Sequence, residues 1–175
     1  QWVENFAYRV SDYVVSVLPN AYEHMQHHGL SRDRFVCIPN GIEISEEKVL
    51  KNKDELPFTI GYAGTVGIAN ALSYLIDAAG ILKNEPIAFS ILGNGPAKCD
   101  LQERVSKKGL SKVSFYDAVS KEKVAPFLSQ SDVLYIGWHA SDLYRFGISA
   151  NKIFDYLLAA KPIIHSVQAG NDPVK

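Results

Sequence analysis

From residue 57 onward the sequence alternates short β-rich apolar runs with longer segments of helical spacing, and that alternation admits few folds. Runs at 58–63, 87–92, 113–116, 133–137 and 162–167 are rich in Ile, Val, Phe and Tyr and have the length of buried strands. Between them, apolar residues recur at helical spacing over 72–82, 101–108, 124–128 and 153–158. Strand–helix alternation requires crossover connections, and these are right-handed, so helices fall on both faces of a parallel sheet. The expectation is an α/β domain: a three-layer, Rossmann-like parallel sheet of at least five strands.

The first part of the chain reads differently, with helix over 6–10 and 21–28 and short strands over 13–18 and 35–38. Charged residues from Glu46 to Glu55, among them Lys48, Lys51, Lys53 and Asp54, resemble a solvated connector. The division that follows is 1–46 as the tail of a preceding domain with an interdomain segment, and 47–175 as the α/β domain, truncated at its C-terminus. A formal net charge of -1 gives no general reason for a nucleic-acid partner, and none is expected. The apolar runs at 14–18 and 60–63 fall well short of the roughly 20 residues that span a bilayer. Cys37 and Cys99 form no CxxC pair and are read as buried core thiols in a reducing cytoplasm. The opening Gln1-Trp2-Val3-Glu4 has no signal-peptide pattern, and the two ends read as those of an excised fragment.

Ligands of open parallel sheets bind beyond the carboxyl ends of the strands, so the strand-end loops carry the functional reading. The first loop is Gly64-Thr65-Val66-Gly67-Ile68-Ala69-Asn70, whose glycines allow close backbone approach before a helix. It reads equally as a phosphate-binding turn or as a tight strand–helix connection. A second glycine loop, Gly93-Asn94-Gly95-Pro96, follows the second strand. Gly61, Gly64 and Gly67 have the wrong spacing for GxGxxG, which argues against a dinucleotide site. Further on, Ser149 reads as the N-cap of a helix with two faces. Ile153, Phe154, Leu157 and Leu158 form its apolar face; Asn151, Lys152 and Asp155 form a polar stripe. That stripe suits a diphosphate and its ribose, or else Lys152 and Asp155 are a surface ion pair worth about 0.2–0.5 kcal/mol. His24, His27 and His28 share a predicted helix, but no neighbouring acid or Cys completes a ligand set, so no metal is assigned. His139 falls in a strand-end loop and is a candidate contact to a donor sugar, whereas His165 is read as core or rim.

Four segments in this order resemble glycosyltransferase family 4, the retaining enzymes of GT-B fold, and in particular its bacterial surface-polysaccharide members. They are Val36-Cys37-Ile38-Pro39-Asn40-Gly41-Ile42, Gly61-Tyr62-Ala63-Gly64-Thr65, Leu92-Gly93-Asn94-Gly95-Pro96 and Phe146-Gly147-Ile148-Ser149-Ala150-Asn151-Lys152-Ile153-Phe154-Asp155-Tyr156. The resemblance implies the C-terminal, donor-binding half of such an enzyme, with no cofactor. It implies a nucleoside diphosphate sugar, UDP-linked, whose diphosphate lies near Gly64–Gly67 and Lys152, whose ribose lies near Asp155, and whose base lies beside Ala118 and Val119. The acceptor, a glycan or a lipid-linked saccharide, and most of the catalytic groups would belong to the other half. The whole enzyme would be cytoplasmic, at the inner face of the cell membrane. Three departures stand out. Gly147 occupies the position of the first of two family glutamates, with Asp155 at the second. Basic residues are missing around 68–71. Ala160 stands where a glycine often ends the helix, at a position calling for φ > 0. Two other classes stay open: a nucleotide-sugar epimerase of the same architecture, and a non-catalytic doubly wound binding module. A receiver module would need clustered acids where Gly64 and Gly93 stand.

Overall fold

The computed structural model describes residues 1–42, 57–170 and 174. The connector between Glu46 and Glu55, the division at 46/47 and residues 171–173 lie outside the described residues. Two compact units emerge: one gathers the described part of 43–139 with 152–167, the other 1–42, 140–151 and the end of the chain from 168.

The larger unit is built on β3 (Phe58–Ala63), β4 (Ile87–Leu92), β5 (Val113–Tyr116), β6 (Val133–Gly137) and β7 (Ile163–Ser166). These strands form a parallel five-stranded sheet in the order β5-β4-β3-β6-β7. The chain thus walks outward from β3 to β5, then returns to the other side of β3 for β6 and β7. The crossovers contain α3 (Leu72–Ile81), α4 (Lys98–Lys107), α5 (Lys121–Ser129) and α6 (Asn151–Leu158). On α3 the buried residues are Leu72, Leu75, Ile76 and Ala79, an i, i+3, i+4, i+7 stripe that meets Tyr62, Phe89, Ile91 and Leu101. Each large apolar side chain buried in this way contributes about 1.5–3 kcal/mol, which makes this layer the main source of the unit's stability.

Two readings of side-chain direction are corrected here. Helix α6 buries Ile153 and Tyr156, while Leu157 is 49% exposed. The expected apolar face is rotated because Tyr156, whose ring is apolar and whose hydroxyl finds a backbone partner, takes the inner position. Both cysteines are exposed rather than buried. Cys99 sits two residues before buried Leu101 on α4, about 200° round the helix and so on the outer side. Cys37 ends its short strand, beyond the cover of neighbouring side chains.

The smaller unit holds α1 (Trp2–Val10), β1 (Val14–Ser16), α2 (Ala21–His27) and β2 (Phe35–Cys37), with β1 and β2 paired in parallel. Arg34 ties the elements together by donating from Nη1 to the carbonyls of Arg9 and Ser11, both at 3.0 Å. Its core is thin: within 1–42 only Ala21 and Leu30 are buried, while Trp2, Val3, Phe6, Val10, Tyr13 and Val15 face outward. The helices also bring Glu4 to His24, 2.7 Å from Nε2, so an acid distant in sequence does join the histidines. Among the described residues no helix is long and apolar enough to cross a membrane.

Candidate functional site

At the carboxyl ends of β3, β4 and β5 the main chain is stitched loop to loop. Gly64 donates its N–H to the Leu92 carbonyl and Gly93 donates to that of Tyr116, each at 3.0 Å; Val66 donates to the Asn94 carbonyl at 2.9 Å. Gly64 and Gly93 have φ of +152° and +143°, a region that side chains with a Cβ rarely adopt. A Cβ on Gly93 would lie 1.9 Å from the Gly64 carbonyl oxygen, and one on Gly95 would lie 2.4 Å from that of Val66. The glycines are therefore required for the two loops to touch, and their contact forms the floor of a cleft.

That cleft, of about 250 Å³, is lined by Ala63, Gly64, Thr65, Leu92, Gly93, Asn94, Ala118, Val119, Lys121, Val124, Lys152 and Asp155. A larger depression of about 470 Å³ lies between Asp77, Gly80, Ile81, Lys83, Lys108 and Leu110, but no strand ends there. Its acid, Asp77, is already held by Arg104 and Lys108. The strand-end cleft is therefore the candidate site.

Lys152 is its most unusual group. Nζ donates to the Tyr62 hydroxyl at 3.0 Å and to Asn70 Oδ1, and it lies 4.8 Å from the centre of the Tyr62 ring. Among the described residues no carboxylate pairs with it. Burial pushes its pKa down to about 8, so the ammonium is charged at neutral pH but under-compensated. An anion in the cleft would relieve that penalty. Asp155 is held by Lys121 at the start of α5. The alternative of a Lys152–Asp155 ion pair is thus not what forms: the two side chains take different partners. Burial also raises the pKa of the Tyr62 hydroxyl well above the usual tyrosine value, which keeps it a neutral hydrogen-bonding group.

Tyr156, one turn beyond Lys152, fixes α6. Its hydroxyl accepts from the Ala63 N–H at 2.7 Å and donates to the Ala63 carbonyl at 3.2 Å. Lys98 holds the second glycine loop, donating to Asn94 Oδ1 at 2.8 Å and to Asp117 at 2.7 Å. Sequence reasoning missed Tyr62, Lys98, Lys121 and Tyr156. Even Lys98 had no helical-spacing signal: Asn94, four residues before it, lies in the loop ahead of α4 rather than on the helix.

Other predicted residues fall outside the lining. Asn70 stands behind Lys152 and anchors itself by donating from Nδ2 to the Thr65 carbonyl at 2.9 Å. Gly67 has an ordinary extended φ of -115°, so nothing in its backbone demands glycine. Gly95 packs against Val66. His139 rests edge-on against Tyr74, with ring centres 5.1 Å apart. Ser149 and Asn151 belong to the smaller unit, where Asn40 Nδ2 donates to the Ser149 carbonyl at 2.9 Å and to Asn151 Oδ1 at 3.0 Å. Because α6 begins at Asn151, its N-cap position falls on Ala150 rather than Ser149. Ala160 does adopt the left-handed conformation, with φ of 50°.

Residues 57–174 match the family model described as Glycosyl transferases group 1, and the chain belongs to this family. It is 28% identical over 115 residues to WcaI of Escherichia coli (strain K12), a protein named for glycosyl transfer in colanic acid biosynthesis; the match covers 59% of this chain and 28% of that protein. Among solved structures it is similar to Anabaena HepE in complex with UDP-glucose, with a TM-score of 0.74, 17% identity, 97% of this chain covered and 48% of that one. It is also similar to WaaG, a glycosyltransferase involved in lipopolysaccharide biosynthesis, with a TM-score of 0.70, 15% identity, and 89% and 44% covered. The fold is therefore that of the GT-B glycosyltransferases. The chain spans about half the length of these solved proteins.

Proposed function

We propose that this chain is the donor-binding half of a glycosyltransferase that moves a sugar from a nucleoside diphosphate sugar, UDP-linked, to a glycan or lipid-linked acceptor in surface-polysaccharide synthesis, with retention. The observation that carries the reading is Lys152: a half-buried ammonium without a carboxylate partner among the described residues, at the rim of a cleft floored by Gly64 and Gly93. Such a cation, beside backbone that a ligand can approach closely, suits a diphosphate. Asp155, one turn along α6, has two acceptor oxygens for ribose hydroxyls once Lys121 yields. Ala118, Val119 and Val124 supply an apolar wall for the base. In this reading Gly64, Thr65, Gly93 and Asn94 hold the diphosphate and sugar through main chain, and His139, Gly67, Gly95 and Asn70 support the surrounding loops.

The outward-facing apolar side chains of α1 and β1, and the half-length coverage of the solved relatives, support a further acceptor-binding domain in the complete enzyme. The enzyme would work in the cytoplasm, against the membrane that carries its acceptor. Calorimetric titration of the chain with UDP, GDP, ADP and pyrophosphate tests the donor site. One nucleoside diphosphate should bind at least about tenfold more tightly than pyrophosphate, a difference of about 1.4 kcal/mol. Equal affinity for all four would remove the ribose and base from the proposal. Anomeric analysis of product from the complete enzyme tests retention.

A further inference from the structure

Outside the cleft, Glu4 on α1 and His24 and His28 at the end of α2 present three ligand atoms that all lie within 4.8 Å of one another. We propose that these residues bind a divalent transition-metal ion of the zinc class, and that the ion clips α1 to α2. This inference is independent of the proposed transfer reaction.

The chemistry of the set fits. Two imidazoles four residues apart, His24 in the last turn of α2 and His28 at its C-cap, with a carboxylate from a second element, form a three-ligand zinc set that leaves a fourth position for water. Tetrahedral zinc with bonds of about 2.1 Å needs ligand atoms about 3.4 Å apart. The ion would open the 2.7 Å contact between His24 Nε2 and Glu4 Oε1 and draw in the wider separations, none of which exceeds 4.8 Å. The surrounding residues orient the ligands as metal sites require. Asn5 Oδ1 lies 2.6 Å from His28 Nδ1, leaving the Nε2 lone pair for the ion, and the Tyr8 hydroxyl donates to Glu4 at 3.4 Å. Side-chain exposures of 39% for His24 and 35% for Glu4 give an ion a path in.

The thin core gives the clip something to do. With only Ala21 and Leu30 buried across 1–42, α1 and α2 have little apolar area to hold them together, the situation in which a metal crosslink contributes most.

The test is calorimetry of the full chain with zinc chloride in a non-chelating buffer, alongside thermal melts in zinc and in EDTA. Binding should be one to one, and zinc should raise the melting temperature. Glu4→Gln and His28→Gln should each weaken zinc affinity at least about tenfold while melting like the parent in EDTA. His27→Gln should change nothing, since His27 is not one of the three residues whose ligand atoms converge. If either variant does not fold, cobalt(II) added to the unaltered chain decides: tetrahedral visible bands support the site, and their absence overturns it. A parent chain with no saturable zinc binding, or Glu4→Gln and His28→Gln variants binding as tightly as the parent, also overturns the proposal.

Discussion

Replacing Lys152 with Met separates what the lysine does for the fold from what it does for a ligand. The unfolded chain carries this ammonium in water with a pKa near 10.5, while burial holds it at about 8 in the folded state. At about 1.4 kcal/mol per pH unit, that difference means the charged lysine costs the fold about 3 kcal/mol at neutral pH. Met fills similar volume without charge. It strands no buried polar atom: the Tyr62 hydroxyl keeps its 2.7 Å hydrogen bond to the Thr65 carbonyl, and the half-buried Asn70 oxygen can turn to water. Lys152→Met should therefore stabilise the chain at pH 7 by about 1–3 kcal/mol, a rise of several degrees in Tm for a domain of this size. The sign has a pH signature. Below pH 8 the lysine is charged in both states and the penalty stands. Between about 8 and 10.5 the folded chain has released the proton and the unfolded chain has not, so parent stability climbs with pH. Above 10.5 the penalty is gone. The gap between variant and parent, read from urea melts at pH 7, 8, 9 and 10, should shrink across that window. Over the same comparison nucleoside diphosphate affinity should fall about tenfold or more. A variant less stable than its parent at pH 7, or a gap independent of pH, would refute the account of Lys152 as a strained cation; unchanged nucleotide affinity would refute its role at the diphosphate.

Three further substitutions probe the same region. Asp155→Asn should lower nucleoside diphosphate affinity by about 1.5 kcal/mol while leaving pyrophosphate binding unaltered, both measured by calorimetry. Gly93→Ala should destabilise by about 3 kcal/mol or more in urea, because its Cβ would meet the Gly64 carbonyl at 1.9 Å; a loss below 1 kcal/mol would mean the loops part easily. Ala160→Gly should instead stabilise by about 0.5–1 kcal/mol in the same assay, relieving the Cβ strain of a residue at φ 50°.

The five strands of the larger unit were legible because a parallel sheet covered on both faces needs continuous apolar runs, and Phe58–Ala63 and Ile87–Leu92 stand between loop-forming residues at both ends. The polar stripe of Lys152 and Asp155 was legible from helical spacing, and the left-handed turn at Ala160 only through the family resemblance, in which a glycine often ends that helix. What escaped was fixed by approach between distant segments. Nothing near Asp155 announces Lys121, 34 residues earlier, and nothing near Ala63 announces Tyr156, 93 residues later. The rotation of α6 escaped for the same reason: Leu157 and Tyr156 are both apolar enough to be buried, and only the waiting backbone groups of Ala63 favour the tyrosine. Glu4 stayed apart from His24 and His28 until α1 and α2 packed, since a ligand set split across 20 residues leaves no motif.

The link between Tyr156 and Ala63 makes one amide a gauge. In the middle of a sheet, an N–H exchanges with solvent deuterium when strands separate. The Ala63 N–H is instead covered by a phenol carried on α6, so its exchange times the lifting of that helix from the strand end. The same turn of helix carries Lys152 and Asp155. A ligand that seats them should slow this single amide far more than those of Ile60 or Phe89 deeper in the sheet, giving the occupancy of the cleft a readout in the main chain of a residue that offers a ligand no functional side chain.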